Sequence, residues 1–121
     1  GREALTLVEV NSNAAEAARR NRPTAEVTAA TAEAFVRDRT DLPNRAVAIT
    51  DPPRTGMTTE LRDHLIRWRP DRIVMLGCDP ATWARDAAHL LDRGYTLTHL
   101  ELADLFPFTH HVEILAVAET A

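Results

Sequence analysis

RIVMLGCDPATWARDAAHLLDRGYTLTHL, residues 72–100, holds one full strand–helix–strand step of the chain. Arg72 to Gly77 is a short apolar run of the kind that fills a buried strand. Asp79-Pro80 follows as an N-cap with proline at the first helical position, where a missing N–H costs nothing. The helix is expected to run to about Asp92, with Ala84, Ala87 and Leu91 as its apolar stripe and Gly94 just past its end. Cys78 is thus left at the junction between a strand and a helix N-terminus.

The same alternation repeats upstream. Ala4 to Val10 reads as a buried strand, and Asn11-Ser12-Asn13 supplies cap chemistry for a helix over Ala14 to Asn21 that Pro23 stops. Glu26 to Ala30 is a second strand, followed by a short helix around Ala32 to Arg39 and the polar Asp41, Pro43 and Asn44. Ala46 to Thr50 is a third strand, which runs into the Pro- and Gly-rich loop Asp51-Pro52-Pro53-Arg54-Thr55-Gly56. Thr58 or Thr59 then caps a helix with Leu61, Leu65 and Trp68 on one face, ended by Pro70. Downstream, Tyr95 to Leu100 and Val112 to Ala118 are two strands without a helix between them, and they are expected to pair antiparallel.

The order βαβαβαβα followed by ββ predicts an α/β domain, a Rossmann-like and mostly parallel sheet that finishes in an antiparallel hairpin. Cofactor-binding sheets of this type normally begin with a strand and a Gly-rich turn, and no such pair opens the sequence. The expectation is a truncated domain. Without that strand, those ending at Val10 and Thr50 are expected either to pair directly or to leave an open edge through which the chain self-associates.

With 121 residues, 45% apolar and 26% charged, the chain has material for one hydrophobic core, so residues 1–121 are read as a single domain. No apolar run nears the roughly 20 residues of a membrane span, and no leader pattern opens the chain, so a cytoplasmic location is expected. One cysteine excludes an internal disulfide. A formal charge of −4 argues against strong electrostatic binding of nucleic acid by this stretch alone.

Ligands of open α/β sheets bind beyond the carboxyl ends of the strands, where Glu9, Thr31, Asp51 and Cys78 stand. Glu9 is suited to accept hydrogen bonds from a ribose diol, or is a solvated turn carboxylate. The two prolines after Asp51 hold its carboxylate at the sheet edge, either for a ligand or merely as a stiff turn. Cys78 is either a small core residue or a thiol whose thiolate the helix dipole favours, with Asp79 opposing that effect. Glu113 opens the last strand. If that strand runs antiparallel to the others, its start adjoins the end of the Cys78 strand; a water-facing glutamate is the alternative. His110-His111 has no further ligand at metal spacing, and no metal site is expected.

Together these residues resemble the RNA 5-methyluridine methyltransferase family. Asp51-Pro52-Pro53-Arg54-Thr55-Gly56 is similar to its DPPR-x-G segment, and Gly77-Cys78-Asp79-Pro80-Ala81-Thr82 with Ala84-Arg85-Asp86 resembles its S-C-[ND]-P-x-T-x-x-R-D segment. Phe106-Pro107-Phe108-Thr109-His110-His111-Val112-Glu113 is similar to its terminal F-P-x-T-x-H-V-E. The chain departs from the pattern at Gly77, where the family usually has Ser, at Phe108, often a polar residue, and at Thr31, often Asp.

The resemblance implies S-adenosylmethionine as methyl donor, transfer or ribosomal RNA as substrate, Cys78 as nucleophile and Glu113 as base. It also implies Glu9 as ribose ligand and Asp51 as a donor-site residue. An iron–sulfur cluster would enter only through a missing N-terminal part. An amine methyltransferase is the rival reading, but Arg54 stands where such enzymes place an aromatic after the prolines. A non-catalytic interaction module of the same fold is the other rival, and the isolated chain is expected to be inactive.

Overall fold

Strands and helices alternate in the order β1 (Thr6–Glu9), α1 (Ser12–Asn21), β2 (Glu26–Ala29), α2 (Ala32–Asp38), β3 (Val47–Thr50), α3 (Thr59–Trp68), β4 (Arg72–Gly77), α4 (Pro80–Leu91), β5 (Tyr95–Ala103) and β6 (Glu113–Thr120). The computed structural model describes residues 4–39, 45–104 and 112–120. The chain divides into two compact units, Gly1–Thr40 and Asp41–Ala121.

In the first unit β1 and β2 pair in parallel, Thr6 opposite Glu26 through Glu9 opposite Ala29. The Asn11 side chain accepts a hydrogen bond from the Ala14 N–H at 3.0 Å and so satisfies one of the free donors that start α1. Thr31 does the same for α2 through the Ala34 N–H at 3.1 Å. Arg19 and Arg20 lie in the last turn of α1, where cations oppose the negative end of the helix dipole.

The second unit carries a four-stranded sheet in the order β3-β4-β6-β5. β3 and β4 are parallel, and β6 is antiparallel to both β4 and β5. The expected hairpin forms, with its second strand inserted against β4 and its first outermost. Composition explains that choice. β6 is apolar from Ile114 to Ala118 and buries Ile114, Ala116 and Ala118, as a central strand must. β5 carries Thr96, Thr98, His99 and Glu101, which suit an edge.

A bulge between Leu97 and His99 shifts the phase of β5, so that Leu97, Leu100 and Leu102 stand opposite Ala118, Ala116 and Ile114 on one face. Without it, Leu97 would share a face with His99 and Glu101. Arg72 and Glu119, directly opposite each other across β4 and β6, form an ion pair at 2.6 Å. Hydrogen bonds from Thr98 and then Arg72 hold the Glu119 carboxyl below the usual range.

Met57, Leu65, Ile73, Met75, Ala87, Leu90, Tyr95 and Ala118 form the core of this unit. Burial of each large apolar side chain stabilises by about 1.5–3 kcal/mol. Leu61, Leu65 and Trp68 of α3 face it as expected. On α4 the buried face differs from the one expected: Asp86, Ala87 and Leu90 point inward, while Ala84 and Leu91 are exposed. Helical spacing allows either stripe, and the buried one contains a carboxylate, which hides it from a search for apolar residues.

Where α3 ends, Arg69 takes a left-handed conformation, its guanidinium donates to the Arg93 carbonyl at 3.0 Å, and it lies over the Tyr95 ring. The Tyr95 hydroxyl donates to the Pro70 carbonyl at 2.7 Å. Burial raises the Tyr95 pKa above its ordinary 10.0, with Arg69 opposing and Asp71 assisting. A raised value favours the neutral phenol in the folded state, so this contribution is intact below pH 10 and is lost as pH rises through the folded value. Tyr95→Phe should therefore lower stability by about 1 kcal/mol at pH 7 and remove part of the alkaline loss. Urea unfolding of both proteins at pH 7 and at high pH checks it.

Candidate functional site

The carboxyl ends of β3 and β4 lie side by side, because the parallel ladder runs from Val47 opposite Arg72 to Thr50 opposite Met75. Asp51 and Cys78 are the first residues beyond Thr50 and Gly77. Asp51 is exposed and makes no side-chain hydrogen bond among the described residues. Cys78 is half-buried and reduced. Asp79 caps α4 by accepting from the Ala81 N–H at 3.1 Å, which aims the start of the helix past the thiol.

Glu113 reaches the same rim. The β4–β6 ladder pairs Arg72 with Glu119 and ends with Gly77 opposite Ile114. Glu113, the residue before Ile114, therefore starts β6 at the rim where β4 gives way to Cys78. On its other side Glu113 pairs with Ala103 of β5. It is half-buried. Strand alternation turns it to the face opposite Ile114. A sulfur nucleophile and a carboxylate base side by side can add to an electron-poor ring and remove a proton from it.

A narrow cleft of about 10 Å³ opens beside Cys78, walled by Pro52, Pro53, Gly56, Thr82 and Trp83 among others. That is room for about one water molecule. Three α4 residues of the Cys78 segment close it by gripping the loop after Asp51. The Thr82 hydroxyl donates to the Arg54 carbonyl at 2.8 Å. Arg85 Nη2 donates to the carbonyls of Thr55 at 2.9 Å and Met57 at 3.1 Å. Asp86, 1% exposed, accepts from the Met57 N–H at 2.8 Å.

The Asp86 charge is balanced by Arg85 at 3.1 Å and by Arg62 of α3 at 3.3 Å. Gly56 fits beneath this grip because it lacks a Cβ: at φ +79° a methyl group would stand 2.6 Å from Arg85 Nη2 and 2.7 Å from Asp86 Oδ2. Sequence reading quoted Thr82, Arg85 and Asp86 as parts of a segment but gave them no task, and it passed over Arg62. The available signal was Asp86 itself, a carboxylate in helical phase with Ala87 and Leu90.

Glu9 belongs to the first unit, at the end of β1. Its Oε1 accepts from the Asn11 N–H at 3.0 Å, which fixes the carboxylate and leaves its second oxygen without a hydrogen-bond partner among the described residues. Thr31 spends its hydroxyl on capping α2. Among the described residues no group of three or more His, Cys, Asp or Glu gathers as a metal site. No helix among them is long and apolar enough to cross a membrane. The segment from Phe106 to His111, including His110 and His111, lies outside the described residues.

Residues 11–119 match the tRNA (uracil-5-)-methyltransferase family. The chain belongs to that family. It is 45% identical over 73 residues to an uncharacterized RNA methyltransferase of Aquifex aeolicus, covering 60% of this chain and 17% of that one. A similar protein of Nitratidesulfovibrio vulgaris is 49% identical over 71 residues, 59% of this chain and 15% of that one. The crystal structure of Pyrococcus abyssi tRNA (uracil-54, C5)-methyltransferase in complex with S-adenosyl-L-homocysteine matches with a TM-score of 0.79 at 32% identity. That match covers 95% of this chain and 28% of the other. The chain thus spans less than a third of the length of these proteins.

The departure from the family pattern at Gly77 has a steric cause. A Cβ there would lie 2.8 Å from Cδ1 and 3.2 Å from Cβ of Trp83, whose indole packs over the glycine. Gly77→Ser should cost about 1–3 kcal/mol through overpacking. Adding Trp83→Leu should recover most of that. Denaturant unfolding of the single and double variants decides, and an equal loss in both would acquit Trp83.

Proposed function

We propose that the full-length protein containing this chain methylates C5 of a uracil in transfer or ribosomal RNA, with S-adenosylmethionine as methyl donor. The antiparallel β4–β6 register, which starts β6 at the rim where β4 ends, carries this reading, and membership of the family supports it. C5 of uracil is a weak nucleophile. When the Cys78 thiolate adds to C6, an S–C6 bond forms and the ring electrons shift to give an enolate that is nucleophilic at C5. The donor supplies an electrophilic methyl group, which C5 accepts.

Glu113 then takes the C5 proton, and the electron pair released expels the Cys78 thiolate and restores the ring. The uracil must be flipped out of its stack to expose C6. Glu9 suits the donor's ribose, since its carboxylate is fixed by the Asn11 N–H and keeps an oxygen for hydroxyl groups. Asp51, exposed beside the reacting rim, is the second donor-side residue.

The isolated chain, which spans less than a third of the length of its relatives, is taken to be inactive by itself, its pocket completed by a further segment of the full-length protein. That span is compatible with a first strand and Gly-rich loop supplied elsewhere in the full-length protein. β3, at the end of its sheet, offers an edge for that strand or for self-association. A cytoplasmic site of action goes with an RNA substrate and a free thiol.

The test is covalent trapping. Full-length protein with donor and an RNA carrying 5-fluorouracil should form an adduct at Cys78, because fluorine cannot leave as a cation; intact-mass measurement after digestion reads it. Cys78→Ser should form none. With ordinary RNA, Glu113→Gln should turn over roughly 10²–10⁴-fold more slowly and accumulate the methylated adduct. No adduct in the unaltered protein, or an adduct elsewhere, would refute the reading.

A further inference from the structure

We propose that Thr82, Arg85 and Asp86 are positioning residues that hold the donor-side loop in place against the nucleophile. They determine how often a uracil activated by Cys78 goes on to be methylated. The inference rests on the C5-methylation reading above.

Past Thr50 the β3–β4 ladder ends, and nothing in the sheet fixes the backbone that carries Asp51, Pro52 and Pro53. Within the loop, one turn closes through the Gly56 N–H to the Pro53 carbonyl at 2.8 Å. Its other backbone ties among the described residues run to one helix. The carbonyls of Arg54, Thr55 and Met57 and the N–H of Met57 are all taken by side chains of Thr82, Arg85 and Asp86. That helix begins two residues after Cys78. A single rigid element therefore sets both the nucleophile and the loop, and Arg62 braces the arrangement from α3.

Activation and methyl transfer ask different things of this geometry. Addition of Cys78 to C6 needs the thiolate and the flipped base. In the absence of donor, C5 of the adduct takes a proton from water; loss of the original C5 hydrogen and breakage of the S–C6 bond then return uracil with its hydrogen exchanged. Methyl transfer needs in addition that the donor's methyl carbon lie in line with C5, so that the C5–C bond forms as the donor's S–C bond breaks and leaves a thioether. Misplacement by about 1 Å costs on the order of a hundredfold in such a step. Loosening the grip should therefore penalise transfer and spare exchange.

The experiment measures, in the full-length protein, tritium release from 5-tritiated uracil in RNA without donor, and methyl incorporation with it. Thr82→Val and Arg85→Lys should each lower kcat for methyl transfer roughly ten- to a hundredfold, with exchange changed by less than about twofold. Thr82→Ser, which keeps the hydroxyl, should restore transfer. The Thr82 pair keeps the test open if the Arg85 variant does not fold. A proportional fall in both reactions, or no fall in transfer, overturns the proposal while leaving the C5 reading intact. Neither reaction in the unaltered protein would sink the C5 reading itself.

Discussion

Antiparallel insertion of β6 beside β4 is the constraint on which the candidate site depends. In a wholly parallel sheet the residue opening a strand lies at the rim opposite the one where the preceding strand ends. Reversing the last strand brings its first residue to the ligand-binding rim, and the register from Arg72–Glu119 to Gly77–Ile114 puts Glu113 at the end of the sheet where Cys78 follows β4. The apolar, alternately buried face of β6 fixes that register, since a slip of one residue would turn Ile114, Ala116 and Ala118 out of the core.

A second constraint is electrostatic. A buried carboxylate is tolerated only when paired and hydrogen-bonded, and Asp86 has two guanidinium groups and a backbone N–H around it. Removing one partner of such a group typically costs about 3–5 kcal/mol, because the other charge is stranded. The arrangement is therefore weak as a source of net stability, and its role is to tie the loop to α4 through the Met57 N–H and carbonyl. Gly56, with no room for a methyl group, and Gly77, covered by Trp83, show how closely the backbone is approached on both sides of the cleft.

Much of this was legible in the sequence. The alternation of elements, cap chemistry within Asn11–Asn13 and at Asp79, a threonine cap for α3 at Thr58 or Thr59, and the Asp51–Gly56 loop follow from local chemistry, which needs no knowledge of the rest of the chain; the structure selects Asn11 and Thr58. That β6 starts, with Glu113, at the rim where β4 ends was legible only as a consequence of pairing direction. Three features were not readable. The buried face of α4 includes a charge, so an apolar search selects Ala84 and Leu91 instead. The bulge at Thr98 is a tertiary response that keeps Leu100 and Leu102 in phase with β6. The contacts of Thr82 and Arg85 span 28 and 30 residues and depend on α4 and the loop after β3 coming together.

The account stands or falls on the neighbourhood of positions 78 and 113. Antiparallel neighbours lie within the Cα range that a disulfide bridges without backbone movement, about 4.4–6.8 Å. A Glu113→Cys variant of the full-length protein, exposed to a mild oxidant, should form an intramolecular bond with Cys78, seen as a loss of two mass units and of both free thiols. Persistence of both thiols under conditions that oxidise a surface cysteine pair elsewhere in the protein would contradict the register, and with it the shared rim of sulfur and carboxylate.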